Sequence, residues 1–166
     1  WGMDEGIVVN GAIATSEAQR TAFWRLREEQ PEGQRRLGPQ LKHDISVPPG
    51  SLVEFLKIAD EQCYELLDGV RINAFGHLGD GNVHYNLSPP MGEKDFSGRE
   101  RELTDHITGL ANSMKGSFAA EHGVGRSKIS LANALRPSVE RRLMSQLKAV
   151  LDQKNLLNPG VIVDNK

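Results

Sequence analysis

The stretch Phe75-Gly76-His77-Leu78-Gly79-Asp80-Gly81-Asn82-Val83-His84-Tyr85-Asn86, followed by Leu87, constrains the fold more than any other part of the chain. Val83, Tyr85 and Leu87 alternate with Asn82, His84 and Asn86, so the two sets face opposite sides of an extended segment. Val70 to Phe75 is a second strand-like run, and the Gly-rich turn between the two predicts a β-hairpin with one apolar and one polar face. The apolar face has to be covered, and amphipathic helices are the available cover.

Three segments have the helical period such a cover needs. Leu52, Phe55, Leu56, Ala59, Cys63 and Leu66 predict a helix from Ser51 to about Leu67 with Cys63 on its buried side. Leu103, Ile107, Leu110 and Met114 predict another, and Val139, Leu143, Leu147 and Leu151 a last one after Pro137. A first helix is expected from a Thr15 or Ser16 cap to about Gln30, with Ala22, Phe23, Trp24 and Leu26 clustered and Arg27 at the edge of that face. Further strands are expected at Ile7 to Ile13, at Leu41 to Val47 before Pro48-Pro49, and at Ser117 to Ala120. Glu32 to Gln40 and Ser88 to Gly98 read as loops. Single strands and one hairpin between helices, without repeated βαβ units, predict an α+β fold: a mostly antiparallel sheet covered by helices.

Composition narrows the function classes. A chain of 166 residues with 38% hydrophobic and 25% charged residues suits one compact domain, and no apolar run approaches the roughly 20 residues of a membrane span. A net charge of −2 without a basic run leaves no footprint for nucleic acid, so an anionic ligand would be held by a few placed cations. Cys63 is the single cysteine, which excludes an internal disulfide and argues against a cysteine zinc site. The chain opens at Trp1 with no charged n-region or apolar h-region and reads as a piece of a longer protein. Cytoplasmic residence is the expectation, with a peripheral membrane or mitochondrial location also compatible.

The polar face of the hairpin concentrates groups able to do chemistry. If the turn is the four residues Leu78 to Gly81, His77 pairs with Asn82 and lies diagonal to His84 on the same face; one residue more or less would reverse this. Further on, Glu121-His122-Gly123-Val124-Gly125 sets a carboxylate beside an imidazole, next to glycines that allow close approach. His77, His84 and Glu121 form a candidate divalent-metal set, and three protein ligands with an open position suit zinc, although the same donors hold iron or manganese. His122 is then available as general base. An isolated histidine is ordinarily a hydrogen-bonded surface or core residue, and His106, on a polar helix side, reads that way. Arg27 and Lys42-His43-Asp44 supply cations that can grip a carboxylate, or simply stand in solvent. Neither Gly-rich stretch ends in Gly-Lys-Ser/Thr or joins strand to helix through GxGxxG, so a nucleotide loop is rejected.

These stretches resemble the C-terminal domain of the FAD-linked oxidases of the vanillyl-alcohol-oxidase type, a group that includes D-lactate dehydrogenases, the glycolate oxidase flavoprotein subunit and D-2-hydroxyglutarate dehydrogenase. The resemblance rests on Trp24-Arg25-Leu26-Arg27-Glu28, Lys42-His43-Asp44-Ile45-Ser46-Val47-Pro48, the hairpin, Glu121-His122-Gly123-Val124-Gly125 and Leu157-Asn158-Pro159-Gly160, and runs from about Ala14 to the end of the chain. It implies a ferredoxin-like cap domain, truncated at its N-terminal side, that binds a D-2-hydroxy acid and works with an FAD domain lying outside this chain. It also implies metal binding by His77, His84 and Glu121, a base at His122, substrate contacts from Arg27, Lys42 and Asn86, and a flavin contact from Asn158. Pro31 stands where the hydroxyglutarate enzyme has a substrate-contacting Thr, which leaves the exact substrate open, and Val161 stands where Lys is common; the electron acceptor is not revealed by the sequence. The chain by itself is expected neither to retain FAD nor to turn over. A stand-alone zinc hydrolase built on His77, His84 and Glu121 is the competing reading, and a non-catalytic interaction module a third.

Overall fold

The computed structural model describes residues 1–161 and residue 163, and the chain divides into two compact units, residues 1–38 and 39–166. In the first, α1 (Glu17–Glu28) starts where Ser16 accepts a hydrogen bond from the Gln19 amide, as its capping position predicts. α2 (Gln30–Arg36) follows directly. It replaces part of the expected Glu32–Gln40 loop: Pro31 sits in the first turn, where its missing N–H costs nothing, and Glu32 pairs with both Arg35 and Arg36. The strand expected at Ile7 to Ile13 does not form. Two amides, of Ile7 and Val8, turn back onto the Gly2 carbonyl, and Val9 is fully exposed. β-branched residues favour a strand only where another strand takes up their backbone groups, and this run has none among the described residues.

The second unit holds β1 (Leu41–Ser46), α3 (Leu52–Leu66), β2 (Arg71–His77), β3 (Asn82–Ser88), α4 (Glu100–Ser113), α5 (Ile129–Leu135) and α6 (Ser138–Leu151). The sheet runs β1-β3-β2 and is antiparallel throughout, so the hairpin's second strand is central. With six helices and a three-stranded antiparallel sheet among the described residues, the fold is α+β as expected. Ile45, Val83, Tyr85 and Leu87 from the sheet meet Phe55, Ala59 and Cys63 of α3 and Leu103, Ile107 and Ala111 of α4 in one core. Full burial of each large side chain is worth about 1.5–3 kcal/mol, and Phe55 meets the Tyr85 ring edge-on at 5.9 Å.

Two further differences lie here. The strand expected at Ser117 to Ala120 is one bridge, Ser117 to Ser46, because Lys115 and Ala120 both take positive φ and turn the chain away on either side of it. The short helix α5, with Ala132 buried, has no counterpart in the sequence reading.

Candidate functional site

The register of the sheet decides which side chains share the face opposite the core. Across β1, β3 and β2 the aligned positions are Lys42, Asn86 and Asn73; then Asp44, His84 and Phe75; then Ser46, Asn82 and His77. Residues directly opposite one another point to the same side, so these rows form one face about 7 Å apart from row to row. Four residues predicted for the site, His77, His84, Asn86 and Lys42, therefore occupy a single surface. The pairing of His77 with Asn82 confirms the four-residue turn from Leu78 to Gly81. Gly81 is required there, since it stands at φ +71° and a Cβ would come within 1.9 Å of the Val47 carbonyl oxygen.

Asp44 is the hub of the middle row. Its Oδ1 lies 2.9 Å from His84 Nδ1 and 3.5 Å from His122 Nε2, and its Oδ2 lies 3.4 Å from Lys128 Nζ. Burial works against the Asp44 charge, but the His84 hydrogen bond, Lys128 and His122 outweigh it and hold the carboxyl below the usual carboxylate range. The His84 and His122 rings meet edge to face at 5.6 Å, and Phe75 packs on His84 at 5.0 Å. His122 is half exposed. On the core side of β1, His43 is buried between the Tyr85 carbonyl and the Thr104 hydroxyl and belongs to the scaffold.

The expected metal set is only partly drawn together. Among the described residues, the donor atoms that all lie within 4.8 Å of one another belong to Asp44, His84 and His122. His77 and Glu121 stand outside that group. His77 leans toward Asp80 of its own turn, with Nδ1 at 3.7 Å from Oδ2, and the Glu121 carboxylate lies 3.9 Å from His122 Nε2. Imidazole nitrogens and carboxylate oxygens fit a divalent transition ion.

The remaining predicted residues fall elsewhere. Arg27 lies in the last turn of α1, in the first unit. Asn158 takes φ +49° on an exposed turn that is firmly anchored. Asp152 accepts from the Leu156 and Leu157 amides and pairs with Lys148, while Arg126 reaches the Pro159 carbonyl at 3.4 Å. Asp44 and Lys128 were not singled out from the sequence. The adjacency of Asp44 to Lys42 was a usable signal for the first, two residues along one strand, whereas Lys128 carried none.

Comparison with known proteins identifies the family. The chain matches the family described as FAD linked oxidases, C-terminal domain, over residues 2–162. A D-2-hydroxyglutarate dehydrogenase of Stutzerimonas stutzeri (strain A1501) is 35% identical over 162 residues, covering 96% of this chain and 35% of that protein. The enzyme of that name from Xanthomonas citri pv. viticola is 35% identical over 164 residues, covering 98% and 34%. The mitochondrial one of Rattus norvegicus is 32% identical over 166 residues, covering 95% and 28%. The chain thus spans about a third of the length of the curated relatives it matches. No described helix is long and apolar enough to cross a membrane. A match of this extent does not favour the zinc hydrolase reading, and the chain belongs to the FAD-linked oxidase C-terminal domain family.

Proposed function

We propose that this chain is the substrate-binding cap of an FAD-dependent dehydrogenase that oxidises a D-2-hydroxy acid to the 2-oxo acid, its FAD-binding domain lying elsewhere in the intact protein. The observation that carries the reading is the row of Lys42 and Asn86 next to the row of Asp44 and His84, with His122 against His84. A 2-hydroxy acid presents its carboxylate and its reacting hydroxyl within a few Å of each other. The two rows are neighbours, about 7 Å apart along the strands, so one small ligand can meet groups from both.

In this scheme Lys42 orients the substrate carboxylate with Asn86 beside it, and Arg27 is proposed as a further substrate-binding residue. His122 accepts the proton of the 2-hydroxyl as the Cα–H bond breaks; its exposure leaves the ring accessible to substrate. FAD, when bound, supplies the acceptor for the two electrons that leave the α-carbon, and Asn158 is its contact on this chain. A divalent metal, with zinc the first choice, would be held by His77, His84 and Glu121 and would supply Lewis acidity at the hydroxyl. Gathering those three donors requires His77 to leave Asp80 and Glu121 to swing from solvent, both ordinary side-chain motions for exposed groups. The relatives' names make D-2-hydroxyglutarate the first substrate to try. Cytoplasmic residence is proposed alongside; the similar proteins from rat and rice are named as mitochondrial.

The test uses the full-length protein with D-2-hydroxyglutarate, D-lactate and glycolate, with and without a chelator. Turnover of at least one is expected, and His122→Asn should lower it about 10²-fold or more. Turnover unchanged in that variant removes His122 from the mechanism, and no oxidation of any 2-hydroxy acid sinks the proposal.

A further inference from the structure

We infer that Asp44 is the positioning residue of this site: its carboxylate holds His84 with the proton on Nδ1, so that the Nε2 lone pair is the one offered to a ligand. The role rests on the reading above, in which His84 is a donor in the site. The argument starts from the sheet. Asp44 and His84 are direct partners in the antiparallel β1–β3 register, so their side chains rise from the same point of the same face. Oδ1 stands 2.9 Å from Nδ1, and both groups are largely shielded, at 22% and 18% exposed.

A carboxylate only accepts hydrogen bonds, so the hydrogen between these atoms belongs to the imidazole. Phe75 lies against the ring at 5.0 Å and limits its rotation. The Nε2 atom is then left without a proton in the neutral ring, which is the form a metal or a hydroxyl donor requires.

The same geometry argues that Asp44 is a holder and not itself a ligand, although its oxygens fall within the cluster of donors. Oδ1 is engaged by His84, and Oδ2 faces the Lys128 ammonium at 3.4 Å. An ion seated on Oδ2 would meet that ammonium head on. Lys128, only 19% exposed, instead fixes the carboxylate from its far side. The result is a chain of command from Lys128 through Asp44 to His84, in which the outer partner sets the orientation of the inner one.

The imidazole tautomer can be read directly from long-range 1H–15N spectra of the ¹⁵N-histidine-labelled chain, recorded without metal at about pH 8.5, above the ordinary imidazole range. The His84 signals are identified by their loss in His84→Gln. The unaltered chain is expected to show His84 protonated at Nδ1 and bare at Nε2. Asp44→Ala should move His84 toward the Nε2-protonated form that free imidazole prefers, while Lys128→Met, which leaves Oδ1 in place, should keep the original pattern. Protonation of His84 at Nε2 in the unaltered chain, or an unchanged pattern in a folded Asp44→Ala, overturns the role. Calorimetric titration with Zn²⁺ separates the two readings: binding weakened about 10- to 100-fold by Asp44→Ala supports both. A chain that binds no Zn²⁺ yet keeps Nδ1 protonated overturns the metal reading and upholds the placement of His84 by Asp44.

Discussion

His43 should make the stability of this fold sensitive to mild acid, and the size of the effect follows from its surroundings. The ring is 4% exposed on the core side of β1, with Nδ1 at 2.9 Å from the Tyr85 carbonyl and Nε2 at 3.0 Å from Thr104 Oγ1. The carbonyl only accepts, so Nδ1 carries the proton and Nε2 accepts from the Thr104 hydroxyl. A second proton would place a charge in the core. Burial pushes the His43 pKa below its ordinary 6.5; the Tyr85 bond opposes this, and the Lys128 charge adds to it. The unfolded chain gains a proton near pH 6.5 while the folded chain does not. Stability is therefore complete above that pH and declines below it, by at most about 1.4 kcal/mol per pH unit, until the folded ring titrates. Between pH 7.5 and 5.5 the loss from this one group is at most about 1.4 kcal/mol. His43→Gln should remove that decline while costing about 1–3 kcal/mol at pH 7.5, from two buried hydrogen bonds at about 0.5–1.5 kcal/mol each. Urea unfolding of both chains across this range, with the slope m constant, reads the difference. If the variant declines as steeply as its parent, buried His43 is not the cause and the reasoning fails.

Three other outcomes are expected. Gly81→Ala should cost more than the roughly 1–2 kcal/mol of a left-handed residue, because its Cβ also collides with the Val47 carbonyl, and a urea midpoint equal to the parent's would show that the turn can relax. The Cys63 thiol, fully buried and with its pKa pushed up to about 11 by desolvation, should ignore a thiol reagent at neutral pH until denaturant is added; stoichiometric labelling of the native chain would contradict its place in the core. In the full-length protein Lys42→Ala should raise KM about 10- to 100-fold, the equivalent of one charge-assisted hydrogen bond, and an unchanged KM would place the substrate carboxylate elsewhere.

What could be read before the structure was known tracks how local its cause is. The hairpin follows from alternation and glycine placement within a few residues, and a cap at Thr15 or Ser16 from one side chain, whereas the four-residue length of the turn and the choice of Ser16 came with the structure. The helices that cover the sheet follow from their apolar period, which the core uses at Phe55, Ala59, Cys63, Leu103 and Ile107. The short helices α2 and α5 lack enough turns to display a period, so neither was legible. Ile7 to Ile13 failed for the opposite reason: its local preference is for a strand, and strand formation depends on a partner that preference cannot report. The spacing from Lys42 put Asp44 on the polar face, but its meeting with His84 was hidden because it depends on residues 40 apart in the chain finding one register.

That register is itself enforced by burial, which ties the site to the core. Moving β1 by one residue against β3 would turn His43 and Ile45 to the polar face and drive Lys42 and Asp44 inward. An ammonium and a carboxylate would then enter the space filled by Ile45, beside Tyr85 and Leu87, at a cost of several kcal/mol for each unpaired charge. The alternation of Leu41, His43 and Ile45 with Lys42, Asp44 and Ser46 excludes every odd shift, and the alignment that forms sets Asp44 opposite His84. The placement of the imidazole is thus a consequence of packing on the far side of the sheet. Substitutions at Ile45 or Val83 that loosen the register should disturb the His84 tautomer without touching any polar atom of the site.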